Sequence, residues 1–273
     1  MASEIIETPP PENGWLQGLG PATARHLLDW EQAHADGLLA DVFGYHALQL
    51  GCPALHSLRA NRMPHRWVAG HECEASLAAW AAEGSPSLWM DSRAWPWPPE
   101  SLDLVVLPHT LERSADPHAC LREVERVLIA EGQLLIIGFN PWSLWGRQLR
   151  RRQKSPTSAL PAAWPLEPIA AYRLRDWLHL LGFEVQVQRF AGWTPTWRSE
   201  RWVQRWRWLD AVGQRWLPFL GGVYLIVATK RVPGGRLLQA RAWRKVPSRS
   251  AVAAPAASIE APVRASPHSE SPS

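Results

Sequence analysis

Glu100–Gly146 reads ESLDLVVLPHTLERSADPHACLREVERVLIAEGQLLIIGFNPWSLWG, and this stretch decides the fold. Ser101–Leu107 is apolar but too short for a helix, so it predicts a buried strand. Asp116-Pro117 predicts a helix start, an N-cap followed by proline at a position where its missing N–H costs nothing. Leu121, Val124 and Leu128, flanked by Cys120 and Val127, then fall on one helical face. Gly132 is expected to end that helix in the left-handed conformation that glycine adopts cheaply. Gln133–Phe139 predicts a second buried strand. A strand–helix–strand unit makes parallel neighbours through a right-handed crossover.

The rest of the chain extends the same alternation. Pro21–Leu39 predicts a helix carrying Leu27, Leu28, Glu31 and Leu38. Ala47–Leu50 and Arg66–Gly70 predict two more sheet strands, and Ser76–Ala82 a helix after the second. Leu88-Trp89-Met90 is a short strand before the turn formers Asp91 and Ser92. Trp95-Pro96-Trp97-Pro98-Pro99 is a stiff extended link. Leu174, Trp177, Leu178 and Leu181 stripe a helix that Gly182 closes. Phe183, Val185 and Val187 alternate with polar residues as a half-exposed strand does. Gly221-Gly222 opens a last apolar strand, Val223–Thr229.

Several of these segments resemble class I S-adenosylmethionine-dependent methyltransferases of the type 11 kind. The resemblance rests on Ser101-Leu102-Asp103-Leu104-Val105, His109-Thr110-Leu111-Glu112 and Leu121–Leu128 (LREVERVL), and on the ending LLGFEVQVQ and GGVYLIVATKR. It spans roughly Phe43 to Arg231. It implies an α/β, Rossmann-like seven-stranded methyltransferase sheet with helices on both faces and an antiparallel last strand. It also implies S-adenosyl-L-methionine as cofactor.

Carried over position by position, the resemblance nominates Gly51, Cys52, Glu72, Asp91, Ser92 and His109 for cofactor contact. Glu72 would take the ribose hydroxyls, and Asp91 with Ser92 the adenine. His109 is the candidate general base, since an imidazole titrates near neutrality; the alternative is a pocket wall. One motif departs from the pattern. Where the family has an acidic residue and three alternating glycines, this chain has Gln49, Gly51, Pro53 and Leu55. Proline removes a donor, and leucine adds bulk beside the ligand's path.

Composition narrows the function classes. The chain has 273 residues and a net charge of +4. Residues 231–273 hold seven Arg or Lys and two Glu, a balance of +5, which leaves −1 on residues 1–230. The folded part therefore carries no general nucleic-acid footprint. Three cysteines without paired spacing point to a reducing compartment, and a cytoplasmic location is expected. Cys52, His65, His71 and Cys73 lack the spacing of a zinc site. No apolar run is long enough to span a membrane.

The expected organisation is a flexible leader (1–14), a methyltransferase-like domain (15–231) with a Trp/Arg-rich helical insertion (193–219), and a disordered basic Pro/Ala/Ser tail (232–273). In the insertion Trp202, Val203, Trp206, Leu209 and Trp216 stripe one side, and Arg201, Arg205 and Arg215 add charge. That pattern suits docking on the domain or capping an apolar acceptor; peripheral membrane contact is the other reading. Arg147, Arg150, Arg151, Arg152 and Lys154 read as a solvated, mobile insertion, or alternatively as contacts to an anionic substrate. The function expected is a methyltransferase acting on a small-molecule or lipid-like acceptor. The rival is a catalytically inactive binding module of the same fold, using the tryptophan helix and basic tail for a partner.

Overall fold

The computed structural model describes residues 19, 21–52, 54–70, 87–153, 167–193, 213, 215–216 and 218–232. Glu72, the helix expected at 76–82, the leader, most of 193–219 and the tail from 233 lie outside the described residues.

Seven strands form one sheet in the order β3-β2-β1-β4-β5-β7-β6. They are β1 (His46–Leu50), β2 (His65–Gly70), β3 (Ser87–Trp89), β4 (Leu102–Pro108), β5 (Leu128–Phe139), β6 (Phe183–Ala191) and β7 (Val223–Lys230). The first five are mutually parallel, and β7 runs antiparallel between β5 and β6. The order steps outward from β1 to β3 and then restarts at β4 on β1's other side. The carboxyl ends of β1 and β4 thus meet where the chain reverses its direction of winding, the usual ligand crevice of an open α/β sheet.

Helices cover both faces. On one face lie α1 (Pro21–Leu39) and the start of α3 (Leu144–Gln153), with Leu27, Leu39, Leu55, Trp145 and Leu149 packed on Leu104, Val106 and Leu135. On the other lie α2 (Pro117–Val127) and α4 (Ala171–Leu180), with Leu121, Val124, Leu174 and Leu178 on Val105, Leu107 and Leu134. Alternate residues of β4 thus feed opposite cores, as the pleat requires.

Two expectations need correction. Gly132 does not end α2: that helix stops at Val127, and β5 already begins at Leu128. The left-handed residue is Glu131, at φ 63°. Gly132 is needed for close approach instead, because a Cβ there would lie 2.9 Å from the Ile129 carbonyl oxygen. The arginine run after Gly146 is no loose insertion either, since Arg147, Arg150 and Arg151 lie on α3. Trp145 and Leu149, both buried, anchor that helix and were hidden among the charges.

Other local signals hold. Asp116 caps α2 by accepting from the Ala119 N–H at 2.9 Å, with Pro117 at the first helical position. Gly182 follows α4 at φ +81°. No helix of the described residues is long and apolar enough to cross a membrane.

Candidate functional site

The chain after β1 turns sharply. Gly51 and Cys52 both have left-handed backbones, at φ 85° and φ 43°. Residues 51–64 then reach β2 with no helix among those described, so this turn offers no helix N-terminus to an anion. The turn is instead tied down from inside by Gln49, which is fully buried. Its amide nitrogen donates to the carbonyls of Gly51 (3.2 Å), Cys52 (3.2 Å) and Leu55 (2.7 Å). Its amide oxygen accepts from the N–H (3.2 Å) and hydroxyl (2.5 Å) of Ser57. A carboxylate only accepts, so an acidic residue would face three carbonyls with nothing to donate. That is the physical reason for glutamine here, and it leaves Leu55 fully buried beneath α1.

Thr110 clasps the ends of β1 and β4. Its hydroxyl donates to the Leu50 carbonyl, and a Cβ on Gly51 would lie 2.7 Å from the Thr110 Oγ1. Beside it His109 adopts φ 54°, a region sparse for residues other than glycine, and its N–H is fixed to the Ile137 carbonyl at 2.8 Å.

The His109 ring is completely buried. Its Nδ1 lies 2.5 Å from Glu112 Oε1, and its Nε2 lies 2.9 Å from Glu31 Oε1. The ring also packs on Phe139, with centroids 4.5 Å apart. Glu112 is held in turn by the Phe139 N–H, which lies 3.0 Å from Oε2. Burial alone would lower the pKa of His109. The charges of Glu31 and Glu112 and their hydrogen bonds outweigh it and raise the value to about 9. At neutral pH the group is therefore an imidazolium between two carboxylates. Glu31 Oε2 is buried and has no hydrogen-bond partner. A carboxylate oxygen left so is costly unless something cationic completes it.

Glu31 comes from α1, on the stripe Ala24, Leu27, Glu31, Ala35, Leu39 that faces the sheet. A carboxylate on an otherwise apolar helical stripe was the available signal for its role. Asp91 and Ser92 follow β3 at the same carboxyl edge, with Met90 N–H on the Gly70 carbonyl at 3.1 Å. Asp91 is paired with the Arg93 guanidinium at 2.8 Å, and Ser92 Oγ lies 2.9 Å from Ser114 Oγ. The edge therefore brings Gly51, Cys52 and His109 together, with Asp91 and Ser92 two strands away.

Cys52 and Cys120 are both buried, and burial pushes the Cys120 thiol up. No cluster among the described residues suits a metal ion.

Comparison with known proteins agrees with this architecture. The profile of the family described as "Methyltransferase domain" matches residues 48–136. The Escherichia coli K12 protein YafS, itself uncharacterized, is 33% identical over 192 residues, covering 70% of each chain. A chain from the complex of the Haloferax volcanii Trm112 methyltransferase activator superposes with TM-score 0.58 at 17% identity, over 83% of this chain and 99% of that one. An S-adenosylmethionine-dependent methyltransferase from Mesorhizobium loti gives 0.52 at 17% identity, over 74% and 99%. The chain belongs to the class I S-adenosylmethionine-dependent methyltransferases, and S-adenosylmethionine is the cofactor of that family.

Two outcomes are expected from this geometry. Gln49→Glu sets a carboxylate against three carbonyls and should lower the unfolding free energy by about 3 kcal/mol or more, read from the urea midpoint. A loss within about 0.5 kcal/mol would show that the turn does not depend on the amide. The second concerns pH. The folded pKa of His109 lies above the ordinary 6.5, so its stabilisation is full below pH 6.5 and fades as pH rises through about 9. Wild type should lose roughly 3 kcal/mol more than His109→Gln across that window. Parallel stability–pH curves for the two proteins would contradict it.

Proposed function

We propose that the chain transfers a methyl group from S-adenosylmethionine to a small-molecule or lipid-like acceptor, with the cofactor's cationic end completing Glu31. The observation that carries this reading is the unpaired, buried Oε2 of Glu31 at the carboxyl edge of the central strands. Two carboxylates around one imidazolium leave one negative charge, and the cofactor's methionine end, with an ammonium and a sulfonium against one carboxylate, carries one net positive charge. When bound, it supplies an electrophilic methyl carbon.

The chain's own residues do the rest. Gly51 and Cys52 shape the turn over which the methionine end would lie. Asp91 and Ser92, with Glu72 beyond β2, are assigned to the nucleoside. His109 donates both ring protons to carboxylates, so it has no lone pair with which to accept a proton from an acceptor at neutral pH. We therefore assign it to positioning: it fastens α1 to the sheet and orients Glu31. Catalysis then rests on alignment and exclusion of water, and alignment alone is worth roughly 7–11 kcal/mol. The cytoplasm, where the cofactor is made available, is the location we assign.

A second reading, a binding module that has lost turnover, draws on the turn itself. Gln49 already satisfies its carbonyls, and no helix follows among the described residues.

Equilibrium titration of the full chain with S-adenosylmethionine separates the two. Wild type should bind below millimolar, and Glu31→Gln, which keeps an acceptor for His109 but removes the charge, should weaken binding about tenfold or more. Failure to bind at millimolar concentration would support the module. Unchanged affinity in the variant would remove Glu31 from the site.

A further inference from the structure

A second cleft, about 340 Å³, opens between α1 and the end of β6. That is within the range of small-molecule sites. Its walls are aromatic. Trp30 comes from α1, Trp145 from α3, and Trp193 from just beyond β6. Two of these rings lie flat on glycine. A Cβ on Gly192 or Gly222 would lie 2.6 Å from the Trp145 ring, and one on Gly213 would run into the Trp193 ring. Trp145 is 1% exposed, so its ring is a rigid floor. Rigid aromatic surfaces bind flat ligands without an ordering cost.

Of the described residues, the polar side chains that line the cleft are Arg189, His26 and His34, and no carboxylate is among them. Arg189 is exposed and has no ion-pair partner among the described residues. A guanidinium of this kind prefers a carboxylate or phosphate, which it can meet with two parallel donors.

The cleft also lies close to the cofactor edge. Ala191 of β6, Val223 of β7 and Phe139 of β5 share one row across the sheet. With strands spaced about 4.8 Å apart, Ala191 stands roughly 10 Å from Phe139, on which His109 packs. The same helix serves both places: Glu31 reaches His109, while Leu27, Trp30 and His34 line the cleft.

We propose that this cleft is the acceptor site and that it takes a flat aromatic molecule bearing an anionic group. The word acceptor rests on the methyltransferase reading; the binding chemistry does not. The aromatic walls stack the ring, Arg189 holds the anion, and α1 ties occupancy of the cleft to the cofactor edge.

The test uses the full chain and three probes of one shape: 1-naphthoate, 1-naphthalenemethanol and 1-naphthylmethylamine. Calorimetry, with and without S-adenosylhomocysteine, reads affinity. The naphthoate should bind at least about tenfold tighter than the amine, with the alcohol between them. Arg189→Met, at an exposed position, should bring the naphthoate to the level of the alcohol, and Trp30→Ala should weaken all three. Equal affinities for the three probes, tighter binding of the amine, or no response to Arg189→Met would overturn the proposal. If the probes bind as expected but S-adenosylmethionine does not, the cleft stands and the transferase reading falls. If the cofactor binds and the probes do not, only this proposal falls.

Discussion

The structure turns on one buried interaction, a carboxylate–imidazolium–carboxylate clasp in which His109 bridges Glu31 and Glu112. It joins α1, the end of β4 and, through the Phe139 N–H, the end of β5. Desolvating three charged groups is expensive, and such a cluster is a weak source of net stability. Removing one member of it is another matter, since an uncompensated buried charge costs about 3–5 kcal/mol. The clasp therefore acts by specifying where α1 sits, and it leaves one buried carboxylate oxygen without a partner near the carboxyl ends of the central strands.

The turn after β1 follows the same logic from the opposite side. A family member with alternating glycines offers backbone N–H groups to its ligand. This chain turns inward: Gln49 collects three carbonyls, and Leu55 fills the space beneath α1. The negative charge that the family places at the end of β1 is absent there. A carboxylate stands a strand away, delivered by α1.

Much of the fold was legible in sequence because its signals are local. A short apolar run, an Asp-Pro cap and an alternating strand each identify an element without reference to the others, and LREVERVL with its flanking strands carried the family. Errors arose where one residue type has two uses. Gly132 reads as a left-handed cap but serves close approach, while Glu131 takes the strained backbone. Arg147, Arg150 and Arg151 are solvated as they read, but they ride a helix whose other side Trp145 and Leu149 bury. The site was less legible, since pairing partners lie far apart in the chain. Nothing near Glu31 announces that it meets His109, 78 residues later. Only its place on an apolar stripe hinted at burial. Glu72 lies outside the described residues, so its part in the site stands as a proposal.

The central claim is that His109 is a cation at neutral pH, held by Glu31 and Glu112 through both ring nitrogens. Nitrogen-15 NMR of the imidazole, followed from pH 6 to pH 10 in the full chain with histidine labelled, tests it most directly. The account predicts that both ring nitrogens of His109 carry protons at pH 7.5, with titration only near pH 9. A neutral ring with a single protonated nitrogen at pH 7.5 would contradict it and return His109 to the role of base.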